Sequence, residues 1–429
     1  MLWSQESRNS TPRISLFSWI IFFLVSVILS LMECVEITVE EEQRDESTQE
    51  LLQHLPTEIG MGGNLLYLYQ GFWCPQVSIK GMMLFQQHFK AQETDLILAS
   101  IPKSGTTWLK ALIYTIVNRS HHSLEKSPLL TNGPHGVVPF LEFDISSRNQ
   151  FLEQHKLPEP RIFGTHSPYT ALPCSVKDSA AKIVYVCRNP LDMFISYWKF
   201  SVNIPKENEK HLSLGDAFDK FCQGLHGYGP FWDHLLGYWK ASLERPDKVL
   251  FLKYEDIKKN NVPSIKKLAT FLGLPFSVEE EKQGLIEETS RLCSVESMKN
   301  HEATMTGTGP LGIPASAFLR KGKVGDSLNY LTPSMVSRVE NLIQEKLQDS
   351  GLCFCLSSTF QNSAWLEFRY TALMLLLYWS IFNDWKNKIS IENKWWKNWN
   401  ERRESQINDF LFYFLDMHVE GTYIWREWN

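Results

Sequence analysis

The sequence predicts an α/β fold, a single domain with a mainly parallel central sheet flanked by helices, and three observations carry that expectation. Short apolar runs alternate with amphipathic ones from about residue 50 to residue 355. Each apolar run stops at a polar or Gly/Pro-containing turn. Beyond the turn the apolar residues recur at helical spacing instead of in a short block.

Taken in order, the expected strands are residues 95–100, 161–165, 182–187 and 249–253, built mostly from Leu, Ile, Val and Phe. The first expected helix, residues 106–118, places Trp108, Leu109, Leu112, Ile113 and Ile116 on one face. A second, residues 190–200, opens on Pro190, whose missing N–H costs nothing at a first helical position. A third covers residues 263–272. In open sheets of this kind ligands gather beyond the carboxyl ends of the strands, so the turns after the strands are where chemistry is expected.

Composition bounds the class. The chain has 429 residues, 43% of them hydrophobic and 21% charged, enough to bury a full core. Its net charge of -5 excludes the global basic field that gathers nucleic acid, so any anion site must be local. The eight cysteines lie singly apart from one C-x-C, a pattern that fits packed thiols better than a disulfide frame or a zinc site.

The two ends differ from the middle. Within an N-terminal extension, residues 1–46, the segment 14–32 is free of charge, preceded by Arg8 and Arg13 and followed by an acidic run. Its length and flanks are those of a membrane anchor. It closes on Met32, however, and a product begun there would lack it. The expectation is a cytoplasmic protein, with membrane attachment as the alternative where 14–32 is retained. Residues 356–429 hold eight of the fifteen tryptophans without clean helical or strand periodicity, and are expected to be a poorly structured extension of the domain at 47–355.

Between the first strand and the first helix stands Pro102-Lys103-Ser104-Gly105-Thr106-Thr107. A strand that turns into a helix here aims backbone N–H groups and the positive end of a helix dipole at one point, which favours a phosphate or sulfate. Gly105 allows close approach, Thr106 and Thr107 add hydroxyls, and Lys103 adds charge. The nucleotide-triphosphatase pattern G-x-x-x-x-G-K-[ST] is absent, since the lysine precedes the glycine. The strand at 182–187 ends in Arg188 instead of a magnesium-binding acid. Such a site is suited to bind a multiply charged anion directly, and no metal is expected.

Three stretches, IPKSGTTW, CRNPLDMFISYW and LRKGKVGD, together resemble the PAPS-dependent sulfotransferases. The wording between them, LYLYQGFWCP, FGTHSPY, GPFWDHLLGYWKASLERPDKVLFLKYED and LNYLTP, is similar to the plant cytosolic branch, and the likeness covers about residues 51–354. It implies 3'-phosphoadenylyl sulfate (PAPS) as co-substrate and a P-loop-like, phosphosulfate-binding turn made by Lys103, Ser104, Gly105, Thr106 and Thr107. It further implies Trp108 and Tyr254 at the adenine. Arg188 and Ser196 are implied at the 3'-phosphate, with Arg320, Lys321 and Gly322 closing over it. His166 becomes the catalytic base, and Lys103 meets the charge on the breaking S–O bond. An imidazole suits the task because a hydroxyl nucleophile must lose a proton as it attacks.

The implied acceptor is a small hydroxylated metabolite, such as a flavonol, steroid, coumarin or hydroxyjasmonate, with no nucleic acid partner. Tyr67, Tyr69, Phe72, Trp73, Phe140 and Phe143 are the expected aromatic pocket. Two other readings are a non-catalytic nucleotide-binding homologue and a membrane-anchored enzyme. His121, His122, His135 and His155 match no motif and carry no assignment. The sequence departs from the family at Ser327, where Trp is usual, at Val295, where an aromatic often stands, and at Ser167, where an apolar residue is common. A lost ring at the adenine would weaken donor binding. Leu328, Pro333 and Ser337 replace the dimerisation motif of the mammalian branch, leaving the oligomeric state open.

Overall fold

The computed structural model describes residues 47–145, 157–204, 211–354 and 356. The segment 14–32, the tryptophan-rich tail beyond 356 and His155 lie outside them. The chain divides into a unit spanning 1–358 and a second, 359–429, which also lies outside the described residues.

Four parallel strands form the central sheet in the order β5-β4-β6-β7. They are β4 (Leu96–Ala99), β5 (Ile162–Thr165), β6 (Lys182–Cys187) and β7 (Val249–Lys253), within a residue or two of the expected runs. Side chains alternate across the sheet. Ile97, Ala99, Ile183 and Tyr185 enter one core with Phe85, Phe163 and Phe194, while Leu96, Leu98, Val184 and Val186 enter another with Leu109, Leu112 and Ile113. Burial on both faces explains why these strands read as continuous apolar blocks. Leu98 is fully buried, and truncating it to alanine is expected to cost about 2–5 kcal/mol.

Helices α1 (Gln76–His88), α2 (Thr106–Asn118), α3 (Leu129–Val137), α4 (Pro190–Asn203) and α5 (Phe231–Glu244) surround the sheet. The helix at α2 has the expected bounds; α4 runs past residue 200, and the helix near 263 spans Asn261–Phe271. Asn189 caps α4 by accepting from the N–H groups of Leu191 and Asp192. Among the described residues, no helix is long and apolar enough to cross a membrane.

A second, antiparallel sheet was not foreseen. Its strands β1 (Thr57–Ile59), β2 (Leu65–Tyr69) and β3 (Phe72–Pro75) are short and only partly buried, so neither length nor alternation announces them. The β2–β3 turn places Gln70 at φ 50° and Gly71 at φ 84°, the paired positive φ of a tight hairpin. Trp73 exchanges backbone hydrogen bonds of 2.7 Å with Tyr228 and Gly229, which moors this sheet to the main body.

One buried ion pair ties together the starts of two adjacent strands. Arg161 gives Nε and Nη2 to the two carboxylate oxygens of Asp95, at 2.7 and 2.5 Å. The two residues stand at the starts of β5 and β4 and are almost wholly buried. Planar two-point pairing of this kind fixes orientation as well as distance.

Candidate active site

The carboxyl ends of the parallel strands meet a cavity of about 220 Å³. Lys103, Gly105, Thr106, Thr107, Trp108, His166, Arg188, Ser196, Tyr254, Arg320, Lys321 and Gly322 all line it, although they come from segments as far apart as residues 103 and 322. Of the expected set, Ser104 alone is not part of the wall: its hydroxyl is buried and has no hydrogen-bond partner. The structure gives it a place in the turn but no side-chain contact with the cavity.

The turn after β4 bends because two residues take left-handed conformations, Lys103 at φ 68° and Gly105 at φ 114°. A Cβ at Gly105 would stand 2.8 Å from the Tyr254 ring, so glycine is required there for space as well as for backbone. Helix α2 begins with no side chain capping it, which leaves its first N–H groups for a ligand. Thr106 is tied to Ser100 by a 2.6 Å hydroxyl contact. The Lys103 ammonium rests 4.0 Å from the Phe200 ring centroid. Among the described residues it has no carboxylate partner. Burial first, then Arg188 and Arg320, pushes it down to about 7, the state of a cation waiting for an anion.

Arg188, at the end of β6, gives Nη2 to the Lys323 carbonyl at 2.7 Å and lies 4.6 Å over the Tyr254 ring. Tyr254 donates to the Gly322 carbonyl at 2.9 Å and meets Trp108 edge to face at 5.2 Å. The distant Arg-Lys-Gly loop is held by Asp192, which accepts from the N–H groups of Gly325 and Ser327 at 2.7 and 2.9 Å. Arg320 and Lys321 share the Asp326 carboxylate at 2.5 and 2.8 Å. The Nε atoms of Arg188 and Arg320 are buried without partners. Two orphaned guanidinium donors beside an unpaired ammonium fit the phosphates and sulfate of PAPS.

His166 follows β5 directly. Its Nδ1 lies 2.7 Å from the Ser100 carbonyl, which can only accept, so Nδ1 carries the proton and Nε2 keeps a lone pair. Burial pushes the ring down to about 3, which holds it neutral near pH 7. Its backbone is gripped from both sides: the N–H donates to Glu142 at 2.5 Å, and the carbonyl accepts from His234 Nε2 at 2.9 Å. Tyr185, 3.1 Å from His234 Nδ1, completes this support.

The aromatic lining is partly different from that expected. Phe140 and Phe143 are there, joined by Tyr197, Phe200, Tyr228 and Phe318. Tyr67, Tyr69, Phe72 and Trp73 are not: Tyr67, Tyr69 and Phe72 join a separate cluster with Leu52, Ile79 and Met82, and Phe72 also meets His234 edge to face. His135, unassigned from sequence, lines the cavity, whereas His121 and His122 are exposed on the surface. No sequence signal marks His135, which reaches Thr107 only through the packing of α3 on α2. Of the three departures, Val295 lines the cavity beneath Gly322. Ser327 is buried and does not line it. Ser167 is buried behind His166, its carbonyl taking the Tyr238 hydroxyl at 2.8 Å.

Comparisons with known proteins identify the family. The family model of the sulfotransferase domain matches residues 93–351. Cytosolic sulfotransferase 15 of Arabidopsis thaliana is 45% identical over 322 residues, 74% of this chain and 90% of the relative. Flavonol 4'-sulfotransferase of Flaveria chlorifolia is 45% identical over 312 residues, 72% of this chain and 97% of the relative. A crystal structure of an Arabidopsis thaliana sulphotransferase superposes with a TM-score of 0.57 at 36% identity, covering 71% of this chain and 94% of that one. A mouse sulfotransferase complexed with PAP gives a TM-score of 0.53 at 29% identity, covering 66% and 95%.

Proposed function

This chain belongs to the sulfotransferase domain family and is a PAPS-dependent sulfotransferase of small metabolites, and from that premise we propose how its cavity moves the sulfuryl group. When bound, the donor supplies an activated sulfuryl group and a stable bisphosphate leaving group. His166 Nε2 takes the proton of the acceptor hydroxyl as that oxygen attacks, and the Nδ1–H bond to Ser100 keeps the ring from rotating away. Lys103 answers the negative charge that grows as the S–O bond breaks, where a preorganised cation lowers a barrier most. Thr106, Thr107 and the start of α2 hold the 5' side of the donor, while Arg188, Ser196, Arg320 and Lys321 hold the 3'-phosphate.

The single observation that carries this reading is that the neutral imidazole of His166 and four cationic side chains from three separate segments, Lys103, Arg188, Arg320 and Lys321, line one cavity. Its aromatic walls, together with the name of the Flaveria relative, support a flat phenolic acceptor such as a flavonol or coumarin. The relatives' names support a cytoplasmic setting. We assign the chemistry to residues 47–355 and none of it to 1–46 or 356–429.

The test is transfer of labelled sulfate from PAPS to a panel of phenols and aliphatic alcohols, with His166→Ala beside the unaltered protein. Transfer to a flat phenol that His166→Ala removes, PAP still binding, is the expected result. Undiminished transfer by His166→Ala would overturn the base assignment, and PAP binding without any transfer would favour a nucleotide-binding homologue.

A further inference from the structure

Behind the turn that faces the donor, side chains to which the reaction assigns no step form a line of contacts ending on one that it uses. Lys110 is wholly buried in α2, one turn beyond Thr106. Its Nζ lies 2.7 Å from the Val138 carbonyl, 3.4 Å from His135 Nδ1 and 3.3 Å from the centroid of the Phe140 ring. Room for this ammonium is made by Gly164 in β5, where a Cβ would stand 2.6 Å from Lys110 Cε and 3.0 Å from Nζ. The other nitrogen of the same imidazole, His135 Nε2, is 3.1 Å from Thr107 Oγ1.

The donor and acceptor capacities of these groups set a direction. Burial lowers Lys110 to about 7, and below that it is an ammonium with three protons and no lone pair, the form that the face of the Phe140 ring favours. One points to a carbonyl, one to His135 Nδ1, and the third side faces an aromatic ring. His135 Nδ1 therefore accepts, and burial holds this ring well below the usual histidine range, so its one proton sits on Nε2. That proton goes to the Thr107 oxygen. Thr107 then has an acceptor site filled and its own proton left for the cavity, which it lines.

We propose that His135 is a positioning residue for donor binding: held in one tautomer by Lys110, it commits the Thr107 hydroxyl to donate to the 5'-phosphosulfate. The inference rests on the cavity being the PAPS site. A hydrogen bond to a charged oxygen is worth more than a neutral one, and its loss here is expected to weaken binding about ten-fold. The same observations would hold little consequence if His135 merely packed on Phe140, with which it stacks at 5.6 Å.

Calorimetric titration of the full chain with PAP, and with adenosine 3'-monophosphate, which lacks the 5'-phosphate, separates these roles. His135→Ala is expected to weaken PAP about ten-fold and the monophosphate less than about two-fold. In a Thr107→Val background the same change should have no further effect on PAP. His135→Gln, whose amide can place an N–H near the position of Nε2, should recover most of the loss. Should His135→Ala fail to fold, Lys110→Met, which keeps the volume and removes the donor, is expected to show the same pattern. Equal losses for both nucleotides, or a His135→Ala effect undiminished beside Thr107→Val, would overturn the proposal. Failure of the unaltered protein to bind PAP would instead remove the donor reading beneath it.

Discussion

His166 Nδ1 lies 2.7 Å from the carbonyl oxygen of Ser100, the residue that follows β4 just before the proposed anion-binding turn. Base and turn are therefore not placed independently, since one hydrogen bond joins the ends of two adjacent strands. Truncating the side chain to a methyl group removes the proton acceptor, while the Ser100 N–H bond to the Thr165 carbonyl still holds the start of the turn. His166→Ala is expected to lower kcat about 10²–10⁴-fold, the usual range for a lost general base, with PAP affinity within about three-fold. Steady-state rates beside calorimetric PAP titration measure both, and a matching loss of PAP affinity would show that the turn itself had moved.

Gly105→Ala meets two obstacles at once. The backbone stands at φ 114°, and the new Cβ would be 2.8 Å from the Tyr254 ring. Strain of about 1–3 kcal/mol is expected, relieved by displacing either the turn or Tyr254. PAP affinity should fall by more than ten-fold while urea denaturation shows a modest stability loss. Unchanged affinity would mean that the turn does not meet the donor at Gly105.

The Asp95–Arg161 pair answers to stability rather than to chemistry. Both partners are buried, so removing one leaves the other uncompensated at a cost of about 3–5 kcal/mol. Arg161→Met should lower the urea midpoint strongly, while kcat per folded molecule stays within about three-fold of the unaltered value. A lowered kcat at an unchanged midpoint would contradict a purely structural pair.

Donor binding should depend on pH in a definite direction. Burial and the neighbouring arginines hold Lys103 down to about 7 before the donor arrives, and a bound polyanion restores its preference for the charged form. Below about 7 the lysine already carries its proton. Above that it must take one up on binding, so PAP affinity falls as pH rises from about 7 toward the ordinary lysine range, by at most about ten-fold per unit. Calorimetry in two buffers of different ionisation enthalpy reads the proton uptake. Lys103→Met should reduce it; an unchanged uptake would assign the effect to Lys110, which burial also pushes down to about 7.

Much of this architecture could be read in advance, and the residues show why. Lys182–Cys187 and Thr106–Asn118 are found at their expected bounds because a strand buried on both faces and an amphipathic helix each leave a strong local pattern. The turn at Lys103–Thr107 and the arginine ending β6 were legible because their chemistry is consecutive in the chain. His135 was not, since its contact with Thr107 exists only once two helices pack, 28 residues apart. The aromatic wall was misplaced for a related reason. Tyr67, Tyr69, Phe72 and Trp73 announce burial, but which surface buries them is decided by a hairpin too short to be seen in the sequence.

Asp192 holds the Arg-Lys-Gly loop through the amide protons of Gly325 and Ser327, not through their side chains. Amide protons are common to every residue except proline. Position 327 is thereby released from the duty of anchoring through its side chain, and the serine there leaves the loop docked; proline alone is barred by chemistry. At 327 the fastening is therefore indifferent to spelling, whereas at Gly325 the backbone stands at φ 77° and asks for glycine.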